Sequence, residues 1–256
     1  MSEWLVLTLA ILATCAIVLL AAVVRQRRVG EEDDPSETPD VIEYMTMMIG
    51  VVYAIVLGLA IAGVWEARGE ADEWVRMEAQ ALHEMDVRAE VFPAETRDLI
   101  QADIAAYVGY AVDEEWSHMV DHGELTERGD ELLTQLRTTV MAPEPGTVRE
   151  VQAYQGLVDQ VALVDEARSG RGDSAQSTMP GVVWVGLIAG AAVTLGMVFA
   201  LQIQRSRREL VLAGLFSALI TFLLFLIWYF DDPFAHGLGD STEAYMSFFP
   251  QFADGG

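Results

Sequence analysis

Four apolar runs without a charged side chain limit what this 256-residue chain can fold into. They cover residues 4–24, 44–65, 181–203 and 210–230. Each approaches the roughly 20 residues with which an α-helix crosses about 30 Å of hydrocarbon. The rest of the chain is strongly acidic and brings the formal net charge to −24. Apolar and acidic sequence are therefore separated along the chain, and we predict four transmembrane helices.

The distribution of arginine predicts the orientation, because the chain contains no lysine. Two clusters follow the first run and separate the third from the fourth: Arg25, Arg27, Arg28, Arg205, Arg207 and Arg208. Short loops rich in basic residues stay on the cytoplasmic side of a membrane. We therefore expect a multi-pass protein of the plasma (inner) membrane with both termini extracytoplasmic. The first run is interpreted as an anchor, because its N-terminal "MSE" has no base and "RQRR" stands in place of a cleavage site.

The predicted architecture is all-α, with four transmembrane helices and an extracytoplasmic helical domain between spans two and three. Residues 1–65 hold spans one and two with a short acidic cytoplasmic loop, and residues 66–180 form the acidic outer domain. Residues 181–230 hold spans three and four, and residues 231–256 form an extracytoplasmic tail. The outer domain has nine arginines and 25 acids. The single Cys15 lies in the first run, so an intrachain disulfide is excluded.

The stretch "GLAIAGVWEARGEADEW" passes from apolar to acidic sequence without a turn residue cluster, which predicts one continuous helix from span two to Pro93. A second helix is expected from residue 94 to about 120, ending at Gly123, and a third from about 125 to 141. Thr147 and Glu150 have the spacing of a capping box at the start of a fourth helix. Its apolar stripe is predicted to include Val148, Val151 and Val164, and "SGRGDSAQST" is predicted to be a linker.

Small residues recur at every fourth position of the second run, at Gly50, Ala54, Gly58 and Ala62. The third and fourth runs repeat the spacing at two pairs, Gly186 with Gly190 and Ala213 with Ser217. Such stripes let helix backbones approach closely. Packing within one protomer and packing between subunits or around a pore both fit this pattern.

The remaining motifs do not predict an enzyme. His118 and His122 lie one helical turn apart among carboxylates and are a weak candidate for a metal site, although an incidental solvated pair fits better because structural zinc needs four ligands. No phosphate-binding loop or hydrolase motif occurs. The spans lack the buried ionisable residues of pumps, whereas an apolar pore with charged mouths remains compatible with them. We expect no cofactor and no nucleic-acid partner.

Several short motifs in order along the chain carry a resemblance: "YMTMMIGVVYAIVLGLAIAGVWEARGEA", "MEAQAL", "FPAETRDLI", "YVGYAVDEEW" and "YFDDPFAHG". Together they resemble the bestrophin-like domain-of-unknown-function family of bacterial membrane proteins over nearly the whole chain. The resemblance directs attention to these positions: Tyr53, Gly58, Trp65, Glu66, Glu78, Ala79, Pro93, Arg97, Tyr107, Glu115, Trp116, Asp231, Pro233 and Phe234. The family's name implies kinship with pentameric chloride channels.

The favoured function is an oligomeric ion channel whose partners are the lipid bilayer and further copies of the chain. Candidates for the pore or its ion mouth are Gly50, Tyr53, Gly58, Trp65, Glu66, Glu70 and Glu73. The alternative is a non-conducting membrane scaffold or an envelope sensor whose outer helices bind a partner. A solvated helix face also explains the three glutamates, interfacial anchoring explains Trp65, and an ion pair with Arg97 is expected for Glu78.

Overall fold

The computed structural model describes residues 8–9, 12–14, 40–202, 207–234 and 242–252. Regular structure in these ranges is entirely helical, which confirms the all-α prediction. Most of the predicted first span, with Cys15, and the acidic loop with its arginine cluster lie outside the described residues. The chain divides into two compact units. The apolar unit is drawn from Met1–Trp65 and Met179–Asp231, and the acidic unit from Glu66–Thr178 and Asp232–Gly256.

Helix α1, Asp40–Ala89, contributes to both units and confirms the predicted continuous helix. Its 50 residues make it about 75 Å long at the α-helical rise of about 1.5 Å per residue. No proline or glycine pair interrupts the sequence where apolar residues give way to acids, so the helix continues. One face is buried throughout, at residues that recur every three or four positions and include Tyr53, Leu57, Val64, Ala71, Val75, Glu78, Leu82 and Met85.

The remaining helices are α2 Ala94–Tyr110, α3 Trp116–His122, α4 Glu127–Met141, α5 Val148–Ser174, α6 Gly181–Gln202, α7 Arg207–Asp231 and α8 Glu243–Phe248. A π-helical turn, Ala111–Glu115, joins α2 to α3 without a break, and a 3₁₀ turn, Pro250–Phe252, follows α8. Gly123 ends α3 as predicted, in a left-handed conformation with φ of 69° that favours glycine. Thr147 and Glu150 form the predicted capping box of α5.

Helix α5 corrects two predictions. It continues to Ser174 through most of the segment predicted to be a linker, and two of its glycines there are sites of close side-chain contact. A Cβ atom at Gly172 would lie 2.6 Å from Leu125 Cδ1, and one at Gly170 would collide with the ring of Trp74. Glycine therefore serves packing here and does not end the helix. The predicted stripe is also wrong at its start, since Val148 and Val151 are exposed and the core side begins at Ala153 and Leu157.

The acidic unit has a continuous apolar core formed by α1 to α5 together with the C-terminal segment. Phe234 and Tyr245 are fully buried in it, and Phe249 is 4% exposed. The ring of Phe252 lies against Gly109 of α2, where a Cβ atom would approach Cε1 to 3.3 Å. The part of the chain that follows α7 thus completes the core of the acidic unit.

The apolar unit combines the first part of α1 with α6 and α7. Two described helical stretches are long and apolar enough to cross a membrane, Tyr44–Ala89 and Val211–Asp231, and Gly181–Met197 is a shorter apolar stretch. The hydroxyl of Tyr53 donates to the carbonyl oxygen of Leu187 at 2.9 Å. Its ring lies so close to Gly190 that a Cβ atom there would be 2.6 Å from Cδ2. Gly190 is therefore a close helix contact, as the small-residue pattern predicted, whereas a Cβ atom at Gly186 would meet no described residue within 4 Å.

Candidate functional site

Four charged side chains lie together in the core of the acidic unit: Glu78, Glu115, Arg168 and Arg171. We call them the buried ion-pair cluster; none is more than 3% exposed. Glu78 comes from α1, Glu115 from the π-helical turn, and both arginines from α5. The π-helical turn, a rare element that often occurs at functional sites, ends at Glu115 and buries its side chain. Two positive and two negative charges balance within the cluster.

Arg171 connects both carboxylates. Its Nε donates to Glu78 Oε2 at 2.7 Å and its Nη2 to Glu78 Oε1 at 3.2 Å, so the guanidinium binds this carboxylate through two hydrogen bonds. The same Nη2 donates to Glu115 Oε2 at 2.9 Å. The hydroxyl of Tyr107 also donates to Glu78. Such paired, charge-assisted hydrogen bonds fix the relative positions of their donor and acceptor groups.

Arg168 makes the second paired contact, with Glu115. Its Nη1 and Nη2 donate to the two carboxylate oxygens at 2.5 and 2.9 Å, and its Nε donates to Asp130 at 3.0 Å. The backbone nitrogen and hydroxyl of Thr126 also donate to Glu115, at 3.1 and 2.8 Å. Thr126 is the N-cap of α4 and accepts from the nitrogen of Gly129. The start of α4 is therefore attached to the cluster.

The environment keeps Glu115, Tyr107 and Tyr245 each in one protonation state near neutral pH. Burial by itself would raise the pKa of Glu115, but the hydrogen bond from Arg168 and the charge of Arg171 outweigh it and lower the pKa to about 2. Burial raises the pKa of Tyr107 and of Tyr245 well above the usual range, and the negative charge of Glu78 adds to this. The carboxylate of Glu115 therefore stays charged and both phenols stay neutral, which does not suit proton transfer.

The cluster's chemistry is that of a structural junction. Burying charges costs free energy that only good pairing offsets, and removal of one partner typically costs about 3–5 kcal/mol. Here each carboxylate receives at least three hydrogen bonds, so the pairing is extensive. The cluster joins α1, the end of α2 with its π-helical turn, α4 and α5. Any movement of α1 within the acidic unit therefore has to carry these elements along or break buried ion pairs.

The predicted ion pair between Glu78 and Arg97 is wrong. Glu78 points to Arg171, whereas Arg97 lies at the first turn of α2 and binds its neighbour Asp98 at 2.8 Å, with 38% of its side chain exposed. Pro93, at the N-cap of α2, is exposed. Of the positions indicated by the resemblance, Glu78 and Glu115 belong to the cluster and Tyr107 donates to it, whereas Pro93 and Arg97 take no part.

Three other positions from the resemblance have defined contacts. Asp231 accepts from the backbone nitrogen of Met179 at 2.7 Å and from Trp184 Nε1 at 2.9 Å, so this carboxylate at the end of α7 fixes the start of α6. Trp116 packs edge-on against Phe234, with ring centroids 5.5 Å apart. These contacts are intramolecular and mostly buried, which makes them determinants of the fold.

The pore and ion-mouth candidates lie mainly on the exposed side of α1, which we call its open face. Glu66, Glu70 and Glu73 are exposed, and Trp65 is 63% exposed with its ring edge-on to Phe230 at 5.2 Å. Among the described residues, nothing approaches within 4 Å of a Cβ atom placed at Gly50 or Gly58. Tyr53 alone among the candidates is buried, against α6.

The histidine pair shows no built metal site. The rings of His118 and His122 stack with centroids 4.3 Å apart, and Nδ1 of His122 lies 3.1 Å from the carbonyl oxygen of His118. In the part of the chain that the structure describes, no third histidine, cysteine or carboxylate completes a metal-binding group.

Comparisons with known proteins agree on the family. A profile of the Bestrophin-like domain matches residues 12–242. Two structures of variants of a bestrophin homologue from Klebsiella pneumoniae are similar, with TM-scores of 0.68 and 0.66 at 13% and 12% identity. Each comparison covers 96% of this chain, with 99% and 98% of the homologue. A third structure, of a membrane protein, has a TM-score of 0.67 at 13% identity and is matched over 100% of its length and 99% of this chain. A search of curated protein sequences gave no match. The chain belongs to the bestrophin-like family and is a membrane protein of that family.

Proposed function

We propose that this protein is a subunit of an oligomeric ion channel in which copies of α1 surround a central axis. The observation that carries the proposal is the open face of α1, which changes in character along one uninterrupted helix. It is apolar at Ile55 and Leu59, small at Ala62, and acidic at Glu66 and Glu73. These positions recur at steps of three, four and seven, so they share one side of the helix.

Family membership makes a symmetric assembly the simplest use of such a face. In a ring of subunits, Ile55 and Leu59 would form apolar constrictions that exclude water when narrow, and Glu66 and Glu73 would form rings of carboxylates at one mouth. Rings of negative charge concentrate cations and repel anions. The proposed channel therefore conducts monovalent cations in preference to chloride.

Glu70 occupies a different position from the other two glutamates. It lies at the edge of the open face and lines a cavity beside α5. The charge change that tests the mouth is therefore the double variant Glu66→Gln with Glu73→Gln. Its matched control is Asp159→Asn with Glu166→Gln, which removes the same charge from exposed positions on α5.

Ion flux through liposomes containing the purified protein tests the proposal. We expect permeation of monovalent cations over chloride. The mouth variant should reduce this preference mainly at low salt, because about 1 M salt shortens the Debye length to about 3 Å and already screens the carboxylates. The control variant should keep the preference. Chloride selectivity, or equal behaviour of the two variants, would contradict the acidic mouth. Absence of flux, together with a monomer by native mass measurement, would favour the scaffold or sensor.

The orientation is part of the proposal and has its own test. Arginine clusters on the cytoplasmic side place the acidic unit outside. In a Cys15→Ser background, a cysteine at Ser169 of α5, which is exposed, should react with a membrane-impermeant thiol reagent in whole cells. Cysteines at Ser36 and Ser206 should react only after the membrane is opened. The reverse pattern would place the acidic unit in the cytoplasm.

A further inference from the structure

An open cavity of about 400 Å³ lies within the acidic unit, between α1 and the end of α5. Its wall includes Glu70 and Trp74 of α1, Asp173 and Ser174 of α5, and Ser177 and Thr178 of the segment that follows α5. The volume is within the range of sites for small organic molecules. The lining combines an aromatic ring, two carboxylates and several hydroxyl groups. This combination has no part in the buried ion-pair cluster or in the proposed pore mouth.

The indole of Trp74, which forms the aromatic wall of the cavity, is held in place by a close contact that only glycine permits. The indole of Trp74 lies directly on the backbone of α5 at Gly170, where a Cβ atom would be 2.5 Å from Cε2 and 2.9 Å from Cε3. Any side chain at this position would displace the ring. Trp74 is thus a fixed surface of the cavity, half-buried and in contact with the cavity space.

The two carboxylates have unused capacity to bind a cation. Glu70 and Asp173 are exposed, and neither has an ion-pair or hydrogen-bond partner within the described ranges 40–202, 207–234 and 242–252. The cavity lining contains no arginine or histidine. Two negative charges beside an indole favour a positively charged group, because the face of an aromatic ring also attracts cations. Hydroxyl groups of Ser174, Ser177 and Thr178 are available to accept hydrogen bonds from an N–H donor.

The position of the cavity along the chain is close to the ends of the apolar runs. Glu70 follows Trp65, the last residue of the second run, by five residues, which is about 7.5 Å along a helix. Thr178 precedes α6 by only three residues. Glu70 and Thr178 thus lie only a few residues along the chain from apolar helix ends, so a lipid headgroup is one source of a ligand that the experiment has to include.

We propose that this cavity binds the ammonium group of a small organic amine, with the cation between Glu70 and Asp173 and against the ring of Trp74. The group has two sources with the same chemistry: the headgroup of a phosphatidylethanolamine or phosphatidylcholine lipid, or a free amine such as choline. The proposal does not depend on conduction, since each subunit holds a complete site.

Indole fluorescence of the purified full-length protein tests binding of the free amine. In maltoside detergent, choline chloride should change the emission saturably at constant ionic strength, whereas its neutral carbon analogue 3,3-dimethylbutan-1-ol should not. The variant Trp74→Phe should lose the signal. Glu70→Gln with Asp173→Asn should weaken binding about three- to tenfold, the effect of losing two partly exposed ion pairs. The matched control Asp159→Asn with Glu166→Gln removes two exposed acids from α5 outside the cavity and should change the affinity less than twofold.

Retention of lipids distinguishes the two sources. After detergent extraction from mixed bilayers, native mass spectrometry should show phosphatidylethanolamine or phosphatidylcholine retained over phosphatidylglycerol, and Glu70→Gln with Asp173→Asn should abolish this preference. Retention without saturable choline binding identifies the lipid headgroup, and choline binding without lipid preference identifies a free amine. The proposal is overturned if neither occurs, if the neutral analogue binds as well as choline, or if the two double variants behave alike.

Discussion

The two units of the molecule achieve a defined structure by different means. The acidic unit fixes its helices with directional contacts between charges, since Glu78, Glu115, Arg168 and Arg171 lie in its core and every carboxylate oxygen has a donor. The described apolar unit instead relies on shape, as in the insertion of Tyr53 against Gly190. Its buried carboxylate, Asp231, lies at the end of α7 and attaches the start of α6.

The difference fits the proposed surroundings, which are water for the acidic unit and lipid for the apolar unit. In water, apolar burial drives collapse without direction, and a balanced set of buried charges selects one arrangement of helices from many. Between helices in a membrane, apolar burial contributes little free energy of association, because lipid is as apolar as leucine. Close approach of the backbones at small residues contributes packing instead. Loss of a buried charge should therefore be the most damaging substitution in the acidic unit, and added size at a close helix contact the most damaging one in the apolar unit.

The largest effect is expected from Arg171→Met. It keeps the length of the side chain but leaves Glu78 and Glu115 without their shared cation in a fully buried position. The free energy of unfolding of the acidic unit should fall by about 3–5 kcal/mol. Thermal unfolding of the purified protein, followed by far-ultraviolet circular dichroism, measures this as a lowered midpoint.

The matched control is Arg137→Met on α4. Arg137 pairs with Asp165 at 3.1 Å, but both side chains are substantially exposed, so the loss should be at most about 1 kcal/mol. Equal shifts for the two variants would show that the buried ion-pair cluster has no special role in stability.

A smaller loss of stability, caused by added size and not by a lost charge, is expected from Gly190→Ala in the apolar unit. The added methyl group would lie 2.6 Å from Tyr53 Cδ2 and Cε2, so α1 and α6 must separate or the ring must turn. Overpacking of this kind costs about 1–3 kcal/mol. Gly58→Ala is the control, because a Cβ atom there meets no described residue within one chain. Midpoints of thermal unfolding in detergent should therefore fall for Gly190→Ala only.

A double-variant cycle makes the size effect specific. Tyr53→Ala removes the ring that the methyl group meets, so Gly190→Ala should cost less in that background than in the native one. Equal cost in both backgrounds would mean that the contact between Tyr53 and Gly190 does not limit the packing of α1 on α6.

Local patterns in the sequence predicted several features of the described helices. The uninterrupted run of α1, the capping box at Thr147 and the end of α3 at Gly123 each depend on neighbouring residues, and each is confirmed. The same local rules failed at residues 169–174, where they read glycines as a linker. Gly170 instead lies within a helix, where it contacts Trp74, a residue distant in sequence.

The buried ion-pair cluster was only partly visible in the sequence. Glu78 interrupts the apolar stripe of α1, which signals a buried charge, but the pattern does not name its partner. A matching signal exists in α5, where Val161, Val164, Arg168 and Arg171 continue one stripe at steps of three and four. Two charged interruptions of opposite sign in two stripes indicate a buried pair. Arg97 was predicted as the partner of Glu78 because it lies on the next helix, just after the turn at Pro93, but it interrupts no apolar stripe.

The last expected effect is a pH dependence confined to acid, and it separates the paired carboxylate of Glu115 from the many exposed acids. Its pKa is lowered from 4.5 to about 2 in the folded protein. Between these values the unfolded chain binds a proton that the folded protein does not, so stability rises with pH across this window. Above pH 4.5 the stabilising contribution is complete, and it is lost as the pH falls toward 2. The unfolding midpoint should therefore show no contribution from this group between pH 5 and 8.

Substitution of Glu115 by Gln removes the titrating group and tests this linkage. The variant should be less stable at pH 7, because Arg168 loses its charged partner, and its midpoint should fall less steeply than that of the native protein between pH 4.5 and 2. Glu131→Gln is the control, since that carboxylate is exposed and pairs with Arg128 on the surface of α4. It should leave the acid limb of the profile unchanged. If the Glu115→Gln profile keeps the native steepness, the acid sensitivity comes from the exposed carboxylates. Buried charge would then not explain the stability of the acidic unit, and the contrast between the two units would not hold.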